Sequence, residues 1–301
     1  MDETYTKRFA LMIRLGQWGN LLPWRARKGL GALFGRYFSF LRLKEQQIVE
    51  NISRNLGLPR STSTEYFMDL CRSSGVAFQM ANILAGLSDE WIAENVITRQ
   101  RALLDRIKSE GGIILSHHSF HQNLLAASLK HWGLSTSALA NPPTAQSDDD
   151  RIYRFTVKLN ADTESNLNGG RFLYVHEGKE LIRSIKDCLE EKTCILLFCD
   201  FNEPKPFNRQ YKFLSSQMQP PSGVIRYAQR NGSPFYFAGL TLSADYKYHL
   251  HLEQLEPSGT AEAGTALDAE EHADHIMQRY IIALEAFIRD NPGCWQHWDI
   301  L

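Results

Sequence analysis

The sequence predicts an α/β protein in which a central mixed sheet is flanked by helices. Its 301 residues, 43% of them apolar, suffice for one large domain with a buried core. Short apolar runs at 113–115 and 194–199 have the length of buried strands, and amphipathic helical patterns lie between the runs. Such an alternation of strands and helices is typical of a sheet that helices cover on both faces.

Composition and charge exclude several classes of protein. The 33 Lys and Arg residues balance 34 Asp and Glu residues, and the net charge of −1 argues against a nucleic-acid partner. Ordinary counts of 20 Gly and 11 Pro exclude collagen-like and low-complexity sequences. The 5 cysteines contain no CxxC pair, which favours a reducing compartment over a disulfide framework. We find no secretory signal and no apolar run of about 18 residues, so no membrane-spanning helix is predicted.

Residues 1–44 are a basic amphipathic segment that differs from the remaining domain, residues 45–301. Nine basic side chains lie here against two acidic ones, and leucines recur at helical spacing. Pro23 separates two predicted helices. Aromatic residues such as Trp18 and Trp24 among Arg and Lys are typical of helices that lie in a membrane interface. Contact with a membrane is therefore one interpretation, and packing of an amphipathic helix on the domain is the other.

The other predicted elements alternate along the chain. Residues 45–110 are mostly helical, and a loop is predicted over 257–267. Further helices are predicted over 124–132, 178–190, 223–230 and 268–289. Strands are predicted over 113–115, 194–199, 234–242 and 248–255, the last two of which we expect to pair.

Three histidines follow the first predicted strand, at the edge where α/β sheets bind ligands: His117, His118 and His121. One of them can be a general base that takes a proton from a hydroxyl or amine, because the pKa of imidazole lies near neutrality. Alternatively the cluster binds a metal ion, with His272 or His275 as further ligands, although no HExxH motif is present. In the third interpretation the histidines only cap the following helix and bond to its backbone.

Five segments in order along the chain carry a family resemblance. Residues 111–127 read Gly-Gly-Ile-Ile-Leu-Ser-His-His-Ser-Phe-His-Gln-Asn-Leu-Leu-Ala-Ala, and the other segments are 42–59, 194–200, 221–234 and 291–298. Together they resemble the bacterial lipid A late acyltransferases, a branch of the lysophospholipid acyltransferase superfamily. That family has a basic segment with Asn-Leu and Pro, a strand followed by a histidine, an apolar strand ending in Asp, a Gly-helix-Gly-x-Pro segment and a Pro-x-x-Trp terminus. The resemblance runs from about residue 10 to the end of the chain.

The resemblance implies a lysophospholipid-acyltransferase-like fold and a peripheral protein on the cytoplasmic side of the bacterial inner membrane. It implies transfer of a fatty acyl group from a thioester, on acyl carrier protein or another donor, to a hydroxyl or amine of a lipid or specialised metabolite. No cofactor is implied. A histidine is the base, and donors for the oxyanion are expected from backbone N–H groups near 119–123 or from a basic side chain.

The sequence departs from the family at the acid that partners the histidine. The family has Asp or Glu after four intervening residues, whereas here the spacing pairs His118 with Asn123 and His117 with Gln122. We predict these four as the catalytic residues, with His118 and Asn123 preferred. An amide can orient an imidazole but cannot stabilise the imidazolium by charge. A weaker dyad, another acid in place of the missing one, and a non-catalytic lipid- or carrier-binding relative all remain open.

Five further residues are predicted to bind substrate: Arg151, Arg154, Lys158, Arg171 and Asp200. The basic ones can hold phosphate groups of an acceptor or an acidic carrier protein, although a solvated face is the alternative. Asp200 ends the second strand as a structural cap or as a site residue. Trp295 and Trp298 are expected to be core or interface anchors rather than catalytic groups.

Overall fold

A seven-stranded mixed sheet with helices on both faces forms the centre of the molecule. The computed structural model describes residues 3–142, 149–205, 208–255 and 269–301, and the predicted loop over 257–267 lies outside them. The helices are α1 Glu3–Trp18, α2 Trp24–Phe38, α3 Glu45–Leu56, α4 Arg60–Ala81, α5 Asp89–Asn95, α6 Arg101–Glu110, α7 Gln122–His131, α8 Asp150–Glu164, α9 Lys179–Glu190, α10 Gly223–Arg230 and α11 Ala269–Asp290. The strands are β1 Val96–Thr98, β2 Ile113–Ser116, β3 Thr136–Ala140, β4 Phe172–Tyr174, β5 Cys194–Phe198, β6 Tyr211–Phe213, β7 Ser216–Met218, β8 Phe235–Leu242 and β9 Tyr248–Gln254.

The strand order of the large sheet is β1-β9-β8-β2-β5-β3-β4. Only the β8–β9 pair is antiparallel among these strands, as the short connection between them requires, and the other neighbours are parallel. Strands β6 and β7 form a separate antiparallel hairpin. The predicted α/β class, the mixed sheet and the pairing of the last two strands are therefore confirmed.

Both faces of the sheet are buried, which explains why the central strands read as continuous apolar runs. Ile113 and Leu115 of β2 belong to a core that includes α11, whereas Ile114 between them belongs to a second core with α6 and α7. Successive side chains of a strand point to opposite faces of the sheet, so a fully apolar strand contributes side chains to the cores on both faces.

Several elements were not predicted from the sequence. Strands β1 and β4 contain three residues each, too few for a periodic pattern to be recognised. Strand β3 is Thr-Ser-Ala-Leu-Ala, in which small and hydroxylated residues replace the branched apolar ones that favour strands. Strand β3 is held in the sheet by parallel pairing with its two neighbours, β5 and β4.

The N-terminal helices pack on the rest of the protein. Both α1 and α2 contact α4, and the contact with α2 is close because glycines line it. A Cβ on Gly35 would collide with the carbonyl oxygen of Cys71, and one on Gly75 with that of Gly31. The structure thus shows this segment packed on the domain, which is one of the two interpretations that the sequence left open.

The outer face of the same two helices nevertheless exposes several large apolar side chains. Trp18 at the end of α1 is 71% exposed and Leu21 in the following turn is 93% exposed. Leu33 and Tyr37 lie one turn apart on the outer face of α2 and are also exposed. Across the described ranges, no helix combines the length and the apolar character needed to cross a membrane.

Candidate active site

The register of β2 beside β5 brings two polar residues together at the carboxyl edge of the sheet. The strands are parallel, and Ser116 lies opposite Phe198 at their ends. His118 and Asp200 each follow two residues later, so their side chains meet. His118 Nδ1 and Asp200 Oδ1 are 2.6 Å apart, and the Asp200 side chain is fully buried while that of His118 is 25% exposed.

The carboxylate of Asp200 accepts further hydrogen bonds that fix its position. The backbone N–H of His118 and the indole Nε1–H of Trp295 both donate to Oδ2, each at 2.8 Å. Trp295 is itself fully buried, as expected of a core anchor, but its polar atom belongs to the site. Three donors around one carboxylate stabilise its ionised form.

The pKa of Asp200 lies well below its ordinary value despite complete burial. Burial acts to raise this pKa, but the adjacent His118, through its charge and hydrogen bond, and the nearby His297 and His117 outweigh it. Asp200 is therefore ionised at neutral pH and can only accept hydrogen bonds. In the neutral imidazole of His118 the proton consequently resides on Nδ1, which leaves a lone pair on Nε2.

The C-terminal segment covers the pair. The backbone N–H of Gln296 donates to the carbonyl of His118 at 3.2 Å. The ring of His297 lies edge-on to that of His118, with centroids 4.7 Å apart. Burial lowers the pKa of His297, and the charge of Asp200 only partly offsets this effect. Phe198 and Phe201 also contact the His118 ring.

The other two histidines do not join this pair. His117 packs against Phe237 and Phe287, and neither of its ring nitrogens has a hydrogen-bond partner among the described residues. Burial lowers its pKa to about 4. His121 bonds through Nε2 to the hydroxyl of Ser73 at 3.0 Å, and burial lowers its pKa to about 3. The prediction that His117 is a catalytic residue is therefore not supported by its position, which is in the apolar core.

The predicted amide partners are also displaced from the dyad. Asn123 and Gln122 occupy the first turn of α7, and the atom bonded to His118 Nδ1 is the carboxylate of Asp200. A helix starts within the four intervening residues, and the register of β5 brings a carboxylate to the histidine instead. The structure thus does not pair either amide with His118, and the acid beside the ring is Asp200, in line with the open alternative of another acid. Asp200 is accordingly the partner of His118, not a cap or a substrate-binding residue.

A cavity of about 870 Å³ adjoins the pair. Its apolar wall comes from four parts of the chain, with Phe9 of α1, Phe40, Phe78 of α4 and Phe155 of α8 among the larger side chains. Its polar part contains Ser119, Gln122, Asn123, Gln296 and His297. His118 is not itself a lining residue, but its neighbours Ser119 and His297 are.

The predicted basic substrate-binding residues lie elsewhere. Arg151, Arg154 and Lys158 of α8 form ion pairs with acidic residues of the same helix or its start, namely Asp149, Asp150 and Asp162. Arg171 donates to the hydroxyl of Ser184. None of the four lines the cavity, so the alternative of a solvated face describes them better. Lys44, which does line it, was not predicted; it pairs with Asp299 at 2.6 Å.

A metal ion has one candidate ligand set among the described residues. One ligand atom each of His118, Asp200 and His297 lies within 4.8 Å of the other two. Two imidazoles and a carboxylate suit a transition metal. However, both oxygens of Asp200 already accept hydrogen bonds from protein donors, which favours a carboxylate that orients a histidine over one that binds a metal.

No protein-family model and no curated protein matches this chain. The class that the fold and the site define is an α/β protein with a buried carboxylate–histidine pair at the carboxyl ends of parallel strands. All five cysteines are buried and unpaired.

Proposed function

We propose that the protein is an acyltransferase that moves a fatty acyl group from an acyl carrier protein, or another thioester donor, to a hydroxyl or amine. The His118–Asp200 pair beside a mainly apolar cavity is the observation that carries this proposal. The acceptor is a lipid or a specialised metabolite, as the resemblance to the lipid A late acyltransferases suggests. No cofactor takes part in this chemistry.

His118 acts as the general base in this mechanism. Asp200 holds Nδ1–H, so Nε2 is free to take the proton from the nucleophile as it attacks the thioester carbonyl. The same Nε2–H then protonates the departing thiolate. Asp200 stabilises the imidazolium that exists between these two steps, which an amide partner would not do.

The cavity is suited to an acyl chain because its wall is largely aromatic and aliphatic. Phe9 contacts Phe78, and Phe78 stacks on Phe155, which forms a continuous apolar surface. Burial of each methylene group contributes about 0.8 kcal/mol, so a fatty chain gains affinity with every carbon that fits. The polar end of the cavity beside His297 would then hold the thioester.

A direct test supplies the purified protein with fatty acyl groups on acyl carrier protein and with candidate hydroxyl and amine acceptors. Mass spectrometry should detect acylated acceptor and free carrier thiol in equal amounts. A chelator should leave the rate unchanged, whereas loss of activity that zinc or iron restores would favour metal-dependent chemistry at His118, Asp200 and His297.

The alternative function is a non-catalytic lipid- or carrier-binding protein of the same fold. The absence of an acid at the His-x4 position favours this alternative, whereas the carboxylate of Asp200 beside His118 favours the enzyme. Binding of acyl carrier protein without transfer to any acceptor would favour this alternative over the enzyme.

We further propose that the N-terminal helices dock on the anionic surface of the bacterial inner membrane. Exposed Trp18 and Leu21 lie among exposed basic residues, of which Arg14, Arg25 and Arg36 are examples. Apolar side chains enter the interface while each basic residue near the surface adds about 1 kcal/mol of attraction. The opposite side of α1 contributes Tyr5 and Phe9 to the cavity, so docking would bring the cavity close to lipid.

Replacing Trp18 and Leu21 together by Glu should weaken binding to vesicles of anionic phospholipid by at least about tenfold, because two inserted apolar side chains are lost. Cosedimentation with vesicles measures this effect. The matched control is Ile182→Glu, which changes a 53% exposed isoleucine on α9. Equal binding of the double variant and the control would contradict membrane docking by this surface.

A further inference from the structure

His297 is a second histidine beside the base, and the dyad does not use it. It begins the short helical turn His297–Asp299 that follows Trp295 and Gln296. The bond of Trp295 to Asp200 and that of Gln296 to the His118 carbonyl tie this segment to the dyad on both sides. These two bonds hold the backbone that carries His297, whose ring lies against that of His118.

The His297 imidazole has hydrogen-bonding capacity that the protein leaves unused. Its Nε2 is buried without a partner among the described residues, and the residue lines the cavity. A buried nitrogen without a partner has lost its hydrogen bond to water, and a hydrogen bond to a substrate oxygen would replace it.

Three backbone donors near the base are already engaged. The N–H of Gln122 bonds to the carbonyl of Ser119, and the N–H of Leu124 bonds to that of His121. The N–H of His118 bonds to Asp200. These three N–H groups are therefore not available to an oxyanion formed beside His118.

We propose that the imidazole of His297 donates a hydrogen bond to the thioester carbonyl oxygen as it becomes an oxyanion, and thus is a second catalytic residue. The inference rests on the proposed acyl transfer. The acceptor oxygen or nitrogen bonds to the carbonyl carbon, its proton passes to Nε2 of His118, and the carbonyl π electrons move to the oxygen that His297 contacts. When the carbon–sulfur bond breaks, those electrons re-form the carbonyl and the thiolate takes the proton from His118.

The two imidazole rings lie side by side, with their centroids 4.7 Å apart. Ring nitrogens of the two histidines belong to a set of atoms within 4.8 Å of one another. The nucleophile and the oxyanion are bonded to the same carbon, so hydrogen bonds of about 2.7–3.2 Å from the two rings can reach these neighbouring atoms. A neutral imidazole can polarise a carbonyl, and it avoids the repulsion that a second imidazolium would meet when His118 is protonated.

The test compares His297→Ala with His297→Gln, whose side-chain amide keeps an N–H donor. The alanine variant should lower kcat about 10²- to 10³-fold while KM for the acyl carrier thioester changes little. The glutamine variant should recover at least about tenfold of that loss, as expected of a donor and not of a packing residue. The control is His176→Ala, which removes an exposed histidine outside the cavity.

A second measurement does not depend on turnover. Calorimetry compares the binding of a long-chain alkylphosphonate, a tetrahedral anionic mimic, with that of a fatty amide of equal chain length. The alanine variant should lose at least about tenfold in phosphonate affinity with the amide unaffected, because only the anion uses the donor. A variant that merely misfolds would weaken both.

The outcomes separate the two proposals. If the wild type transfers acyl groups and the alanine variant keeps both its kcat and its preference for the phosphonate, the role of His297 is overturned and the acyltransferase stands. If the wild type transfers nothing to any acceptor, the proposed function fails and this inference fails with it.

Discussion

Replacing His118 by Ala is expected to lower kcat for acyl transfer about 10⁴-fold, and Asp200→Asn is expected to have an effect of similar size. The first change removes the base. The second alters which nitrogen of the base carries the proton. Steady-state rates of product formation from an acyl carrier thioester measure both effects.

The effect of Asp200→Asn follows from the donors around this side chain. Its two oxygens accept hydrogen bonds from His118 Nδ1, His118 N and Trp295 Nε1. Asparagine offers one oxygen and one NH₂ group. At least one of the three donors would therefore face the NH₂ group, which cannot accept its hydrogen bond. If the amide nitrogen faces the ring, His118 must carry its proton on Nε2, where it cannot act as a base.

A double variant distinguishes this geometry from the family arrangement. Asn123→Asp creates the acid at the His-x4 position, yet Asn123 lies on the first turn of α7 and the ring of His118 faces Asp200. Asn123→Asp should therefore fail to restore activity to Asp200→Asn. Two results would remove the dyad from its role: recovery in the double variant, or normal activity after His118→Ala. The exposed His176→Ala serves as the matched control.

Acidification from pH 7 to pH 5 is expected to lower the free energy of unfolding by about 4 kcal/mol through His117 and His121 alone. Burial lowers their pKa values to about 4 and about 3 from an ordinary value of 6.5. Below about pH 6.5 the unfolded chain binds protons that the folded protein does not accept. Stability is thus complete above that pH and is lost as the pH falls towards 4.

Asp200 does not contribute to the loss of stability between pH 7 and pH 5. Its pKa is lowered from an ordinary value of 3.8, so its stabilising effect persists throughout the range from pH 7 to pH 5. It is lost only when the pH falls below about 3.8 towards the folded-state value. Loss of stability between pH 7 and pH 5 therefore reports on the buried histidines, including His297, whose pKa is also lowered by burial.

Urea unfolding at the two pH values measures the effect, since the midpoint multiplied by the slope gives the free energy of unfolding. His117→Leu should reduce the difference between pH 7 and pH 5 by about 2 kcal/mol, because one buried titrating group is gone. His176→Leu, at an exposed histidine, should leave the difference unchanged. An unaltered pH dependence in His117→Leu would show that His117 is not buried in its neutral form.

Much of the fold could be predicted because its signals are local. The strand at Cys194–Phe198 is a run of five apolar residues, and α10 occupies Gly223–Arg230 as the periodicity predicts. The sequence also places His118 two residues beyond β2 and Asp200 two residues beyond β5, at the edge where such sheets bind ligands. Had β2 and β5 been taken as parallel neighbours, this equal offset would have predicted the pair.

The sequence by itself determined many of the helices and the longer apolar strands, that the N-terminal helices have an apolar face, and which histidines lie near a strand end. The tertiary structure decided that β5 lies beside β2, that Trp295 and His297 contact the His118–Asp200 pair, and that His117 and His121 are buried without bonding to Asp200. The physical reason is the separation along the sequence of the residues that contact one another. Periodicity reports contacts within a few residues, whereas His118 and Asp200 are 82 residues apart and meet only through strand register.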